Sequence, residues 1–322
     1  LTQRKSLIRW RNMFQKRESR DFSQVKREED PNDPRLLSRV SFLSDWRELW
    51  NEKLDPTNDL ILWSYSDDRG VERNLGRLGT GKAPKQLLRR LYSLALHREL
   101  RIFDLGDFRS WDYDLSEAHF QAKECVKKIR ELGLRCISIG GGHDWAYPDF
   151  SESFPYLVNL DAHLDVRPDA EEQSRRGHSG TPFRKIAEDD SITKQIYQIG
   201  LERSQNSKNH IAYAESQRMR LLFLDELKDS EAEQVEHVQR MFDDVHEDSI
   251  GISLDLDCLR QSECPGVSAP SPVGLSANVV LSLISKLKSR SPHLGVYELN
   301  PNFDLDERST RLAARLIYEF IS

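Results

Sequence analysis

Apolar positions in this chain fall in short unbroken runs, at residues 60–63, 102–105, 136–139, 156–160, 196–199, 221–224, 250–254 and 295–297. Each run is followed by a polar loop and then by a longer stretch with helical spacing. Runs without polar alternation imply strands covered on both faces, and separations of helix length imply parallel crossings. The rhythm predicts an α/β fold, a three-layer α/β/α sandwich around a central, mostly parallel sheet, over residues 59–322. Residues 1–58 lack the rhythm and are expected to form an N-terminal extension, helical and docked on the domain. Within it, Arg4, Lys5, Arg9, Arg11, Lys16 and Arg17 alternate with Trp10, Phe14 and acids. That mixture suits an amphipathic docked segment better than a nucleic-acid-binding arm.

Composition narrows the class without changing the fold. With 38% hydrophobic residues, 31% charged residues and a net charge of -6, the 322-residue chain reads as an ordinary globular protein with no nucleic-acid partner. No apolar run approaches the roughly 18 residues of a membrane span, and the start lacks the apolar centre of a secretion signal. A cytoplasmic protein with no membrane partner is expected. Because the chain opens on Leu1 rather than Met, the native start is expected to be missing or processed. Cys125, Cys136, Cys258 and Cys264 show no C-x-x-C spacing and are expected to be reduced thiols.

In open parallel sheets ligands sit beyond the carboxyl ends of the strands, so the loops that follow the apolar runs carry the chemistry. The run at 156–160 is followed by Asp161, His163 and Asp165 at every second position, which on an extended chain would point to one side. The run at 136–139 is followed by three glycines, then His143. The run at 250–254 is followed by Asp255 and Asp257. Singly, each has a structural reading: His143 as a hydrogen-bonded core histidine, and the aspartates as turn formers or helix caps. Jointly, four carboxylates at neighbouring strand ends repel one another unless a cation lies between them. Four Asp and two His with no Cys suit Mn2+ better than structural zinc, and two divalent ions balance four carboxylates. A further loop, residues 66–84, holds Arg69, Arg73 and Arg77 among glycines. It lacks the spacing of a phosphate-binding loop, and reads either as a turn holding those arginines near a ligand or as a solvated loop.

The segments GGGHD, DAHLD and SLDLD, in this order, resemble the three metal-binding signatures of the ureohydrolase (arginase-like) family. The resemblance extends over roughly residues 59–322 and includes the loop Asn74 to Arg77 and the closing segment from Glu298 onward. It implies that His143, Asp161, Asp165 and Asp255 hold one manganese ion and that His163, Asp161, Asp255 and Asp257 hold the other. It further implies that Asp165 passes a proton to the departing amine and that Glu298 pairs with a cationic amidinium. The resemblance also implies hydrolysis of the C–N bond of a linear amidine or guanidine by water that two such ions make nucleophilic at neutral pH. The family also implies homo-oligomers, trimers or hexamers. The 58-residue extension has no counterpart in this resemblance.

Two small loops bear on the substrate. Where arginine and agmatine hydrolases usually show His-Gly-x-Pro, this chain has Ser179-Gly180-Thr181-Pro182, with His178 one position early. His178 reads either as a proton shuttle or as a loop-packing histidine. Ser179 and the segment Pro265 to Pro270 resemble formimidoylglutamases, whose substrate, N-formimidoyl-L-glutamate, carries two carboxylates. Arg69, Arg73, Arg77 and Arg184 are the cations expected to meet them, because arginine forks bind carboxylates well. Cys264 and Glu263 are unusual neighbours for that loop. The alternatives are a guanidino hydrolase of the agmatinase or arginase kind and a catalytically silent ligand-binding homologue.

Overall fold

The computed structural model describes residues 13–25, 32–169, 176–189, 192–227, 230–243, 245 and 249–322. Arg4, Lys5, Arg9, Trp10 and Arg11 lie outside the described residues. All eight apolar runs form strands: β3 (Asp59–Ser64), β4 (Arg101–Phe108), β5 (Arg135–Ile139), β6 (Tyr156–Leu160), β7 (Gln195–Leu201), β8 (Arg220–Phe223), β9 (Ile250–Asp255) and β10 (His293–Tyr297). They join β1 (Phe14–Gln15) and β2 (Val40–Phe42) in one sheet of order β1-β4-β3-β5-β10-β9-β6-β7-β8, with β2 also paired to β4. Every pairing is parallel except β1 with β4. The sandwich expected from the rhythm is the observed fold.

Unbroken apolar runs are needed because consecutive side chains enter opposite cores. Leu60 and Leu62 join one hydrophobic cluster, while Ile61 and Trp63 join the other. A short helix α1 (Arg69–Arg73) follows β3, and the first cluster packs against helices α2 (Ala83–Tyr92), α7 (Glu231–Arg240), α8 (Ala277–Leu287) and α9 (Arg308–Ile321). The second packs against α3 (Leu115–Arg130), α4 (Ala146–Phe150), α5 (Pro182–Asp189) and α6 (Lys208–Ser216). Helix α3 shows the local logic: Asp114 caps it by accepting from the Glu117 N–H, Lys127, Lys128 and Arg130 sit at its C-terminal end, and Leu115, Ala118, Ala122, Val126 and Ile129 form the buried stripe.

The described part of the first 58 residues covers the outer edge of β4. Strand β2 pairs with Ile102 to Asp104, and β1 pairs with Asp107 and Phe108. Covering that edge removes a row of unpaired backbone groups. Arg17 anchors the segment, buried between Asp104 and Asp107 and also donating to Ser64 Oγ. Three 3-10 turns, Ser19–Val25, Leu36–Arg39 and Trp46–Asn51, make up much of the rest.

Register positions the site. Ile139, Val296, Leu254 and Leu160 stand side by side across the four central strands β5, β10, β9 and β6. The residues that follow them, Gly140, Tyr297, Asp255 and Asp161, therefore leave the sheet at one level.

Candidate metal centre

The strand β6 ends at Leu160, so Asp161, His163 and Asp165 lie on a bent loop, not on a continued strand. Two local devices replace the expected period-two extension. Asp161 Oδ1 accepts the backbone N–H of His163 at 2.7 Å, and Asp165 sits in the left-handed region with φ 49°. The β9 end repeats the first device, Asp255 Oδ1 accepting the Asp257 N–H at 2.9 Å. The turn-forming role and the ligand role are thus held by one residue. In each aspartate Oδ1 fixes the turn while Oδ2 faces His143.

The glycines before His143 serve the protein rather than a bound group. A Cβ on Gly140 would stand 2.2 Å from the Tyr297 ring, and one on Gly141 1.8 Å from the Asp67 carbonyl oxygen. Only glycine allows β5 to approach β10 and the β3 loop this closely.

These loops bring all six candidate ligands together. His143 Nδ1 lies 2.9 Å from Asp165, 3.1 Å from Asp255 and 3.2 Å from Asp161, in each case from Oδ2. Beside it, His163 Nδ1 lies 3.2 Å from Asp257 Oδ2 and 3.4 Å from Asp161 Oδ1. Ligand atoms of His143, Asp161, Asp165 and Asp255 fall within 4.8 Å of one another, as do those of Asp161, His163 and Asp257. The His143 ring is oriented by Ser253 Oγ, 2.9 Å from its Nε2, which leaves Nδ1 for the cluster.

The donor set fits divalent cations. Among the described residues His143 Nδ1, amid three carboxylates, is buried without a hydrogen bond, and Asp257 Oδ1 is likewise buried and unpartnered. Burial and then repulsion from Asp257 and Asp161 push the Asp255 carboxyl well above the usual range. Burial takes Asp257 up to about 6, with His163 opposing and Asp161 adding to the rise. Carboxylates so crowded are ionised together only beside positive charge.

A cavity of about 310 Å3 opens beside the cluster, lined by His163, Asp165, Asp255, Asp257 and Glu298 together with Asn74, Arg77, Arg167, Ser179 and His210. Glu298 also has left-handed backbone, φ 65°, a conformation that persists in non-glycine residues only where the surroundings enforce it. Its Oε2 is buried with no hydrogen bond among the described residues, and burial raises its pKa to about 8.

The sequence-derived arginines are placed unequally. Arg69 is turned away onto Asp67 and the carbonyls of Ser110 and Tyr113. Arg184 pairs with Glu188 and lies over the Tyr213 ring. Arg77 lines the cavity but donates to the carbonyls of Ser268 and Val267. Arg73 lines a second, adjoining cavity of about 340 Å3, as does His178, whose Nδ1 accepts the Gly180 N–H. Ser179 Oγ accepts from Asn74 Nδ2 at 3.0 Å. Arg167, which sequence reasoning passed over, lines both cavities and donates to Asn74 Oδ1 at 2.9 Å. Its signal was available, because it continues the every-second-position series 161, 163, 165. His210, on α6, likewise lines both cavities and had no motif to mark it.

Residues 68–322 match the model of the arginase family. The chain belongs to the arginase family. Among its members, the formimidoylglutamase of Rhodococcus jostii is 31% identical over 312 residues, covering 90% of this chain and 95% of that one. The formimidoylglutamase of Legionella pneumophila is 29% identical, covering 92% and 93%. A crystal structure of Trypanosoma cruzi formiminoglutamase with Mn2+ superposes with a TM-score of 0.76 at 29% identity, over 90% of this chain and 97% of that one. An alignment that leaves only a tenth of the chain outside takes in part of the first 58 residues, so that part has a counterpart in the Rhodococcus jostii relative.

Proposed function

We propose that the protein hydrolyses the C–N bond of N-formimidoyl-L-glutamate, giving L-glutamate and formamide, with two Mn2+ ions. The observation that carries this reading is the convergence of six ligands in a chain resembling formimidoylglutamases along nine-tenths of its length. His143, Asp161, Asp165 and Asp255 would hold one ion, and His163, Asp161, Asp255 and Asp257 the other. When bound, such an ion pair makes water nucleophilic at neutral pH and polarises the group it attacks.

The chain's own residues supply orientation and proton transfer. Glu298 Oε2, buried and without a hydrogen bond among the described residues, accepts N–H groups of the amidinium and holds its carbon over the cluster. Asp165 carries a proton to the amine that leaves as glutamate on its other oxygen, Oδ2 being the one turned to His143 Nδ1 and the cluster. Arg167, steadied by Asn74, offers its remaining guanidinium donors to the carboxylate nearer the scissile bond, with Ser179 beside it. His178 stands one cavity away, and a proton-shuttle role for it would need the substrate to reach there.

Cytoplasmic placement and assembly into trimers or hexamers belong to the same proposal. Four free, buried thiols support the first, and family resemblance supports the second. Among the described residues no helix is long and apolar enough to cross a membrane. Purified, Mn2+-loaded protein assayed against formimidoylglutamate, arginine, agmatine and guanidinobutyrate tests the substrate. Faster turnover of agmatine, which has no carboxylate, overturns it. Light scattering reads the assembly.

A further inference from the structure

The second cavity adjoins the first through Asn74, Leu75, Arg167 and His210, which line both, and it is walled further by Arg73, Pro168 and His178. Among the described residues no carboxylate lines it. Asp169, the acid that neighbours His178, is turned to Lys185 at 3.3 Å and to the Gly177 N–H. Two arginines and two imidazoles therefore share a space of about 340 Å3 that the metal cluster does not reach.

Donors in it are unspent. Among the described residues Arg73 gives one hydrogen bond, to the Arg176 carbonyl, of the five its guanidinium can donate. The imidazole of His210 makes no hydrogen bond among the described residues, although its backbone N–H is fixed by the Ser207 cap of α6. Both side chains are half-buried, so water competes for them only in part. A carboxylate is the planar, two-oxygen acceptor that an arginine fork and a neighbouring imidazole N–H fit.

We infer that the second cavity seats the side-chain carboxylate of the substrate, with Arg73 and His210 as its ligands. This rests on the formimidoylglutamate reading above. The substrate's two carboxylates then have separate seats: the one beside the scissile bond meets Arg167 at the boundary of the two cavities, and the one at the end of two methylenes passes Leu75 into the second. The arrangement selects for chain length as well as charge, because a tail without the distal carboxylate leaves Arg73 and His210 unpaired.

The test pairs enzyme and substrate changes. N-Formimidoyl-L-glutamate and its neutral isostere N-formimidoyl-L-glutamine are assayed with wild type, Arg73→Met, Arg73→Lys and His210→Phe, each loaded with Mn2+. Wild type should prefer the glutamate by about tenfold or more in kcat/KM, the range for a lost hydrogen bond to a charged group. Arg73→Met and His210→Phe should each lose about tenfold on the glutamate, mainly in KM, and markedly less on the glutamine, so that the preference collapses. Arg73→Lys should recover part of it. Equal losses on both substrates, or no loss on either, overturn the assignment while leaving the reaction itself standing. A wild type that turns over neither formimidoyl compound overturns the underlying reading instead.

Discussion

Glu298 Oε1 accepts a 2.8 Å hydrogen bond from the backbone N–H of His143, a residue 155 positions earlier in the chain. The bond ties the loop after β10 to the loop after β5, and it spends one carboxylate oxygen on architecture while leaving Oε2 for the cavity. Glu298→Gln keeps an acceptor for His143 and removes the charge that would face an amidinium. It should hold two Mn2+ per chain and lose about tenfold to hundredfold in kcat/KM, as expected when one partner of a charged hydrogen bond is neutralised. Glu298→Ala frees the His143 loop as well and should lose metal affinity besides. Kinetics with metal analysis separates the two. A Gln variant with wild-type kcat/KM would leave Glu298 as a strut between loops.

Asp257 belongs to one half of the cluster, whereas Asp161 is shared between both. Asp257→Ala should therefore lower the Mn2+ content from about two per chain toward one, with an activity loss of about a hundredfold or more, because the second ion is one of the pair that acts on the water. Thermal unfolding of the metal-free variant should be no worse than that of metal-free wild type, since removing one of four crowded carboxylates relieves repulsion. Equilibrium dialysis against Mn2+ reads the first effect and calorimetry the second. Two tightly bound ions in the variant would assign Asp257 to the turn alone.

Much of this site was legible because its residues lie in register. The apolar runs marked the strands, and side-by-side pairing of Ile139, Val296, Leu254 and Leu160 turned three separate motifs into one cluster. The bend at Asp165 was not legible. A left-handed φ in an aspartate is enforced by tertiary surroundings rather than by the local sequence. The placing of the cations was not legible for a related reason. Arg69, Arg77 and Arg184 share a residue type with Arg167, but each is engaged by neighbours that lie near it only in the folded chain or, for Arg69 and Arg184, also in sequence: Asp67, the Ser268 carbonyl and Glu188.

Asp149 gives the fold a pH response that is separate from the cluster. It is buried beneath Tyr65 and Tyr297, both of which donate to it, and burial raises its pKa from 3.8 to about 6. Between those values the folded state binds the proton more tightly than the unfolded chain, so stability falls as pH rises. The contribution is fully present below 3.8 and is lost as pH passes 6, a change of about 3 kcal/mol across that window. Asp149→Asn cannot ionise. Comparing denaturant unfolding of the metal-free proteins at pH 4 and pH 7, the variant should gain on wild type by about that amount at the higher pH. A constant difference across the range would mean that Asp149 titrates normally.

Arg167 is the cation on which substrate recognition should turn. It lines both cavities, its Nη1 is held by Asn74 Oδ1, and the Asn74 amide in turn donates to Ser179 Oγ, so the fork is presented rather than free to wander. Preorganised donors lose less entropy on meeting a carboxylate, which is what makes such a residue costly to remove. Arg167→Met should lose about tenfold to hundredfold in kcat/KM toward formimidoylglutamate, chiefly through KM, with two Mn2+ retained. Arg184→Met is the comparison, because Arg184 is engaged with Glu188 and Tyr213 outside the cavity and should stay within about twofold of wild type. Arg69→Met should show a third pattern, a lower melting temperature with KM little changed, since it breaks the Arg69–Asp67 pair beneath the loop. If Arg184→Met weakens substrate binding more than Arg167→Met does, the carboxylate seat lies toward α5 and α6 rather than at the boundary of the two cavities.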